Sequence, residues 1–205
     1  MIVLEGLQKK FGKQHILQDV SYTFNTGSKT VILGSNGSGK STLIKILSGS
    51  LEATEGSPVY TFEGSNVTAK SAGLHVGIVA PYVALNPMFS LKETLAFHEQ
   101  FCPFPEGFKL TDWLYKAGLA AHEDKRLSTF SSGMLQRVRL LLAVANDRPL
   151  LLLDEPLSNL DAEGVLFYTE LIRSFALSKT IIVGSNYQKD EYSYCTDELL
   201  LDKHY

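Results

Sequence analysis

A chain of 205 residues is long enough for one α/β domain with a substantial core, or one domain plus a small subdomain. Hydrophobic residues make up 44% and charged residues 20%, which argues against extended disorder, and a formal net charge of −3 without a long Lys/Arg cluster disfavours a nucleic-acid-coating role. The longest apolar runs, 140–145 and 150–153, fall far short of the roughly 20 residues needed to span a bilayer.

Met1-Ile2-Val3-Leu4 runs straight into Glu5-Gly6 with no basic-then-apolar leader. The expectation is a cytoplasmic protein whose membrane role comes through a partner. Cys102 and Cys195 are far apart and lack metal-ligand spacing, so they read as unpaired intracellular thiols, and the five His form no metal-binding cluster.

Residues 2–10 and 15–24 predict two antiparallel strands, because Val20, Tyr22 and Phe24 alternate with Ser21, Thr23 and Asn25. Asn25-Thr26-Gly27-Ser28 turns the chain into the apolar run Thr30-Val31-Ile32-Leu33. Residues 34–42, GSNGSGKST, follow, and then the helical Leu43-Ile44-Lys45-Ile46-Leu47. Glu55-Gly56-Ser57-Pro58 marks another turn and Val59-Tyr60-Thr61-Phe62 a short strand, while 67–71 predicts a loop or short helix.

Residues 75–80 predict a buried strand ended by Pro81. Ser90-Leu91-Lys92-Glu93 has the pattern of a capping box at the start of a helix through Phe101. From there to about 147 the pattern is helical, broken by Pro103, Pro105 and Gly107. It predicts a helical subdomain, about 82–147, inserted into a single domain of 1–205.

Met134, Val138, Leu141, Leu142 and Ala145 fall on one helical face, just after Ser131-Ser132-Gly133, and read as core packing. Leu150 to Leu153 is a buried strand running into Asp154-Glu155. A helix opens at Asp161 with Val165, Tyr168, Leu171, Ile172 and Phe175 inward; 180–183 and 199–201 are the last strands. Alternating strands and helices after residue 29 predict a largely parallel sheet covered on both faces, with ligands at the carboxyl ends of its strands.

GSNGSGKST has the composition and context of a phosphate-binding loop. Gly34, Gly37 and Gly39 let the backbone bend and bring its N–H groups close to an anion, with Ser35, Asn36 and Ser38 completing the bend. The helix beginning near Thr42 offers its positive end, Lys40 a point charge for the β/γ-phosphates, and Ser41 a hydroxyl for Mg²⁺. A glycine-rich surface turn is the competing reading, and the strand-before, helix-after context disfavours it. Asp154 at the end of its strand can hold the same Mg²⁺, and Glu155 is suited to polarising a water against the γ-phosphate.

With these motifs in order, the chain closely resembles the ATP-binding cassette family, the motor subunits of ABC transporters, from about residue 2 to 203. The resemblance implies an ABC-type P-loop NTPase fold with an N-terminal antiparallel β part, and an ATPase that takes ATP and Mg²⁺. Phe11 occupies the place of the aromatic that stacks on adenine, FSSGMLQRV at 130–138 resembles the LSGGQ signature, and Ser158-Asn159-Leu160-Asp161 matches the D-loop. It further implies an integral membrane transporter subunit as partner and a second cassette, identical or paralogous, closing head to tail on ATP. Ser131, Ser132 and Gly133 would then face the other copy's phosphate loop. No nucleic-acid partner is expected, and the absence of a tail beyond about residue 203 resembles compact single-cassette subunits of exporters.

Three positions depart from the family pattern. The usual Gln after the strand at 76–80 falls at Pro81 or Tyr82, with Asn86 nearby; the signature has Ser132 for its first Gly and Met134 for its Gln; and Asn186 stands at the switch His. Asn donates a neutral hydrogen bond, about half as strong as a charge-assisted one, so the expectation is hydrolysis at a reduced rate. The alternative is a nucleotide-gated regulatory module that hydrolyses weakly.

Overall fold

The computed structural model describes residues 1–176 and 178–201, so the end of the family resemblance near residue 203 lies outside the described residues. The strands are β1 (Ile2–Phe11), β2 (Gln14–Phe24), β3 (Lys29–Leu33), β4 (Val59–Phe62), β5 (Ser65–Val67), β6 (Val76–Val79), β7 (Leu150–Asp154), β8 (Thr180–Ser185) and β9 (Asp197–Leu200). The α-helices are α1 (Lys40–Leu47), α2 (Ala69–Ala72), α3 (Leu91–Phe101), α4 (Leu110–Lys116), α5 (Ser132–Val144), α6 (Ala162–Phe175) and α7 (Lys189–Tyr192). They fall into two compact units, one of Met1–Ile78, Arg148–Glu155 and the described residues from Ser178, the other of Val79–Asp147 and the described part of Pro156–Leu177.

The first unit holds two sheets, an antiparallel one in the order β2-β1-β4-β5 and a second in the order β6-β7-β8-β3-β9. In the second, β7, β3 and β9 pair in parallel with their neighbours, β8 lying between β7 and β3. Strands β7 and β8 are buried along their whole length, which is why 150–153 and 181–183 within them read as apolar runs. Leu4 and Leu7 of β1, Ile32 of β3, Leu43, Ile44 and Leu47 of α1, and Leu152 and Ile182 share one core. The Tyr60 hydroxyl on β4 donates to the carbonyls of Ile46 and Leu47 at 3.2 and 3.0 Å, satisfying the open end of α1.

Sequence and structure differ at the ends of elements. β8 runs to Ser185 rather than Val183, because Ile32 and Leu33 of β3 pair with Gly184 and Ser185. The last strand begins at the charged Asp197 and Glu198, which the apolar pattern missed. It is a sheet edge, where charged residues are tolerated. Residues 65–72 hold a short strand and one helical turn.

The second unit is helical. Its first helix carries the expected capping box: Ser90 Oγ accepts from Glu93 N at 3.1 Å, and Glu93 Oε2 accepts from Ser90 N at 2.8 Å. The segment 102–131 breaks into α4 and two single 3-10 turns, as its Pro and Gly residues favour. Phe104, Phe108, Trp113, Phe167 and Phe175 form an aromatic cluster that ties α4 to α6. In α6 Phe167 is buried, while Val165 and Phe175, expected inside, are half-buried.

Candidate functional site

The six residues 34–39 after β3 make a tight loop that ends at α1, whose first residues Lys40, Ser41 and Thr42 complete the motif. Gly39, the residue before the helix, has φ 103, and a Cβ there would stand 2.7 Å from Leu17 Cδ2, so only glycine fits. No side chain caps α1, which leaves the N–H groups of its first turn directed at whatever occupies the loop. Lys40 folds back over this bend and donates to Gly34 O at 2.7 Å and Ser35 O at 3.2 Å. It is 5% exposed. Burial lowers its pKa, and the carboxylates of Glu155, Asp154 and Glu191 oppose that shift.

Asp154 ends β7 opposite Gly184 of β8. A Cβ on Gly184 would lie 2.7 Å from Ile44 Cδ1 and 3.0 Å from Asp154 Oδ1, so the absent side chain makes room for the carboxylate. Asp154 is 1% exposed, and neither of its oxygens has a hydrogen-bond partner among the described residues. Burial raises its pKa above the ordinary carboxylate range. The Ser41 hydroxyl draws it back from nearby without completing a hydrogen bond, Glu155 raises it further, and Lys40 and Lys45 lower it.

Glu155 follows in the left-handed region at φ 47, its N–H bonded to Gly184 O at 2.9 Å. A non-glycine residue keeps such a conformation only where its surroundings over-determine it.

Asn36, Gly37, Gly39, Lys40, Ser41, Thr42 and Glu155 line one cleft of about 210 Å³, together with Ile16 of β2. Phe11, at the end of β1, lies outside that lining. It is 52% exposed, with Lys9 Nζ 4.9 Å from its ring centre. Asn186 is exposed just beyond β8, also outside the lining. Ile16 was not singled out from the sequence, where it reads as one more apolar strand residue.

Ser131, Ser132, Gly133 and Asp161 belong to the helical unit. Ser131 caps α5, its Oγ accepting from Met134 N at 3.2 Å, and Ser132 is exposed. Gly133 lies under a backbone carbonyl, since a Cβ there would meet Asn159 O at 2.8 Å. Asp161 caps α6 by accepting from Gly164 N at 2.8 Å, and it also accepts from Arg137 Nη2 at 2.5 Å. The Gly164 N–H first, and Arg137 second, hold its carboxyl below the usual range. Arg137 also donates to Ala117 O at 2.9 Å, a bracing role that the sequence did not announce. In the segment after β6, Asn86 Oδ1 accepts from Met88 N at 3.0 Å.

Among the described residues no group of three or more His, Cys, Asp or Glu could hold a metal by itself. The oxygens of Asp154 and Ser41 are hard ligands of the kind that bind Mg²⁺, which keeps several waters and takes further oxygens from phosphates.

The family model described as "ABC transporter" matches residues 17–158. An uncharacterised ABC transporter ATP-binding protein of Bacillus subtilis (strain 168) is 32% identical over 204 residues, covering 95% of this chain and 89% of that protein. A lantibiotic transport ATP-binding protein of Streptococcus pyogenes is 29% identical over 213 residues, covering 100% of this chain and 91% of that protein. Among solved structures, a dimeric bacterial ABC transporter cassette superposes with a TM-score of 0.80 at 22% identity, over 98% of this chain and 94% of that one. At that identity the likeness speaks for the fold.

Proposed function

The chain belongs to the ABC transporter family, and we propose that it is the ATP-binding and ATP-hydrolysing subunit that drives a separate integral membrane subunit. Its fold is that of the family's P-loop ATPases. The observation that best supports this reading is the cleft shared by the phosphate loop and Glu155, with the unpartnered Asp154 carboxylate beside Ser41.

In this proposal the N–H groups of 37–42 and the Lys40 ammonium grip the β- and γ-phosphates, and Phe11 stacks on the base. Asp154 and Ser41 hold Mg²⁺, which when bound neutralises charge on the phosphate oxygens. Glu155 takes a proton from the attacking water. Asn186 donates a neutral hydrogen bond to the γ-phosphate, so turnover is slower than an imidazolium would permit. Ser131, Ser132 and Gly133, at the positive end of α5, receive the γ-phosphate held by a second cassette, with Asp161 beside that interface.

No helix among the described residues is long and apolar enough to cross a membrane. We place the chain in the cytoplasm, held at the membrane by its partner. The 82–147 subdomain docks there, while ATP closes the cassette pair and hydrolysis reopens it. The two related transport proteins carry ATP-binding names, which supports the ATP-binding part of this reading.

The test is steady-state phosphate release with Glu155→Gln as control. The variant should lose about 10²–10⁴-fold in kcat while keeping its affinity for a fluorescent ATP analogue. Equal turnover in both proteins removes Glu155 from the role of base. The Asn at 186 favours a second reading, a nucleotide-gated clamp, and binding without any Glu155-dependent phosphate release would select it.

A further inference from the structure

Ser185 and Glu191 are a buried polar pair for which the nucleotide chemistry above has no use. Ser185 ends β8, in register with Leu33, the residue before the phosphate loop, and it has no exposed surface. Glu191, on α7, is only 2% exposed. Ser185 Oγ donates to Glu191 Oε2 at 2.5 Å and accepts from Gln188 N at 3.2 Å, while Glu191 N donates to Gln188 O at 3.0 Å. These bonds close residues 185–191 into a ring hung from the strand end. Asn186 and Tyr187 lie on its exposed rim, and Tyr187 is held at φ 62, a conformation that a bulky residue rarely keeps unaided.

We propose that the Ser185–Glu191 hydrogen bond is a latch that fixes the loop carrying Asn186, which makes both of them positioning residues. The proposal rests on the role given to Asn186 above. With the latch broken, Tyr187 relaxes toward ordinary negative φ, the peptide following Asn186 rotates, and the carboxamide leaves its place. The hydrogen bond is the requirement, and the charge is not. An amide oxygen accepts the same hydroxyl, so Glu191→Gln keeps the latch, whereas Glu191→Ala and Ser185→Ala break it from either side. The rival role for Glu191 is to support the Lys40 ammonium through its charge, which it does from a distance. In that case Gln fails as badly as Ala, and nucleotide affinity changes.

Two measurements decide the matter. In the nucleotide-free chain, hydrogen exchange at the amides of 186–190 should quicken at least tenfold in Ser185→Ala and Glu191→Ala and stay within about threefold of wild type in Glu191→Gln. Unchanged exchange in both alanine variants, or exchange in the Gln variant as fast as in Glu191→Ala, overturns the latch whatever the chain does with nucleotide.

In phosphate release, Glu191→Ala and Asn186→Ala should each lower kcat about five- to tenfold with KM for ATP within twofold. The double variant should be no slower than the slower single. Multiplied losses, or an altered KM, overturn action through Asn186. A wild-type chain without Glu155-dependent phosphate release removes the hydrolysis reading instead, and the exchange result then decides the latch by itself.

Discussion

Asp154→Asn separates what this carboxylate costs the empty protein from what it gives the loaded one. The group is 1% exposed, neither oxygen has a hydrogen-bond partner among the described residues, and burial raises its pKa. An acid with a raised folded pKa holds its proton more tightly in the folded chain than in the unfolded one. Stability therefore falls as pH climbs from the ordinary 3.8 through the raised folded value, and stays low above it. At pH 7, above the ordinary value, the buried acid thus destabilises the empty protein.

An unsatisfied buried polar group costs about 1–3 kcal/mol, and more when charged. Asn cannot ionise but leaves a buried amide, so the recoverable part is about 1–2 kcal/mol. At about 2–4 °C per kcal/mol for a chain of this size, Tm at pH 7 should rise by roughly 2–8 °C, and the rise should vanish near pH 4.

Ligand reverses the order. The wild type should gain about 2.7 kcal/mol at a hundredfold excess of MgATP over its Kd, whereas the variant should lose the Mg²⁺-dependent part of that gain. Thermal melts from pH 4 to 8, with and without ATP and Mg²⁺, make the comparison. A variant no more stable than wild type when empty at pH 7, or one equally stabilised by MgATP, refutes the reasoning.

Gly133→Ala should destabilise the helical unit by about 1–3 kcal/mol in urea melts, because the added Cβ meets the Asn159 carbonyl at 2.8 Å. An ordinary exposed helical Gly→Ala change instead stabilises by about 1 kcal/mol, so a gain would contradict the close approach. Tyr60→Phe leaves the Leu47 carbonyl without its hydroxyl donor, while Ile46 O keeps the Gly49 N–H at 3.0 Å, and should cost about 1 kcal/mol, read as a drop in Tm of roughly 2–4 °C. Asn186→His should raise phosphate release about fivefold below pH 6.5, where the imidazole is protonated, since a charge-assisted bond is stronger by about 1 kcal/mol. An unchanged or lower rate would show a site adapted to Asn.

The two halves of the site were legible because each is an unbroken run of chain. Residues 34–42 carry their loop and helix start in sequence, and 150–155 carry a buried strand that delivers its acids to one end. The capping box at Ser90 was legible for the same reason, its partners lying three residues apart. What depends on pairing across the sheet was not legible. Gly184 reads as a strand-end glycine until β8 is set beside β7 and its missing side chain faces Asp154. Nothing in the charged run Lys189-Asp190-Glu191 marks Glu191 as the acid buried on Ser185. The ends of β8 and β9 were misplaced because register with β3 sets them, and the apolar pattern carries no register.

The same burial acts on Lys40 and Asp154 in opposite directions, lowering the pKa of the base and raising that of the acid. Each shift means that the charged form is disfavoured where it stands, and the mutual attraction of the two groups offsets only part of that cost. A triphosphate placed over Lys40 supplies negative charge where the ammonium lacks it, and Mg²⁺ beside Asp154 supplies positive charge to the unbonded carboxylate. Neither ion alone relieves both groups. Nucleotide and metal should therefore bind with strong mutual cooperativity, each raising the other's affinity by the same factor, as linkage requires.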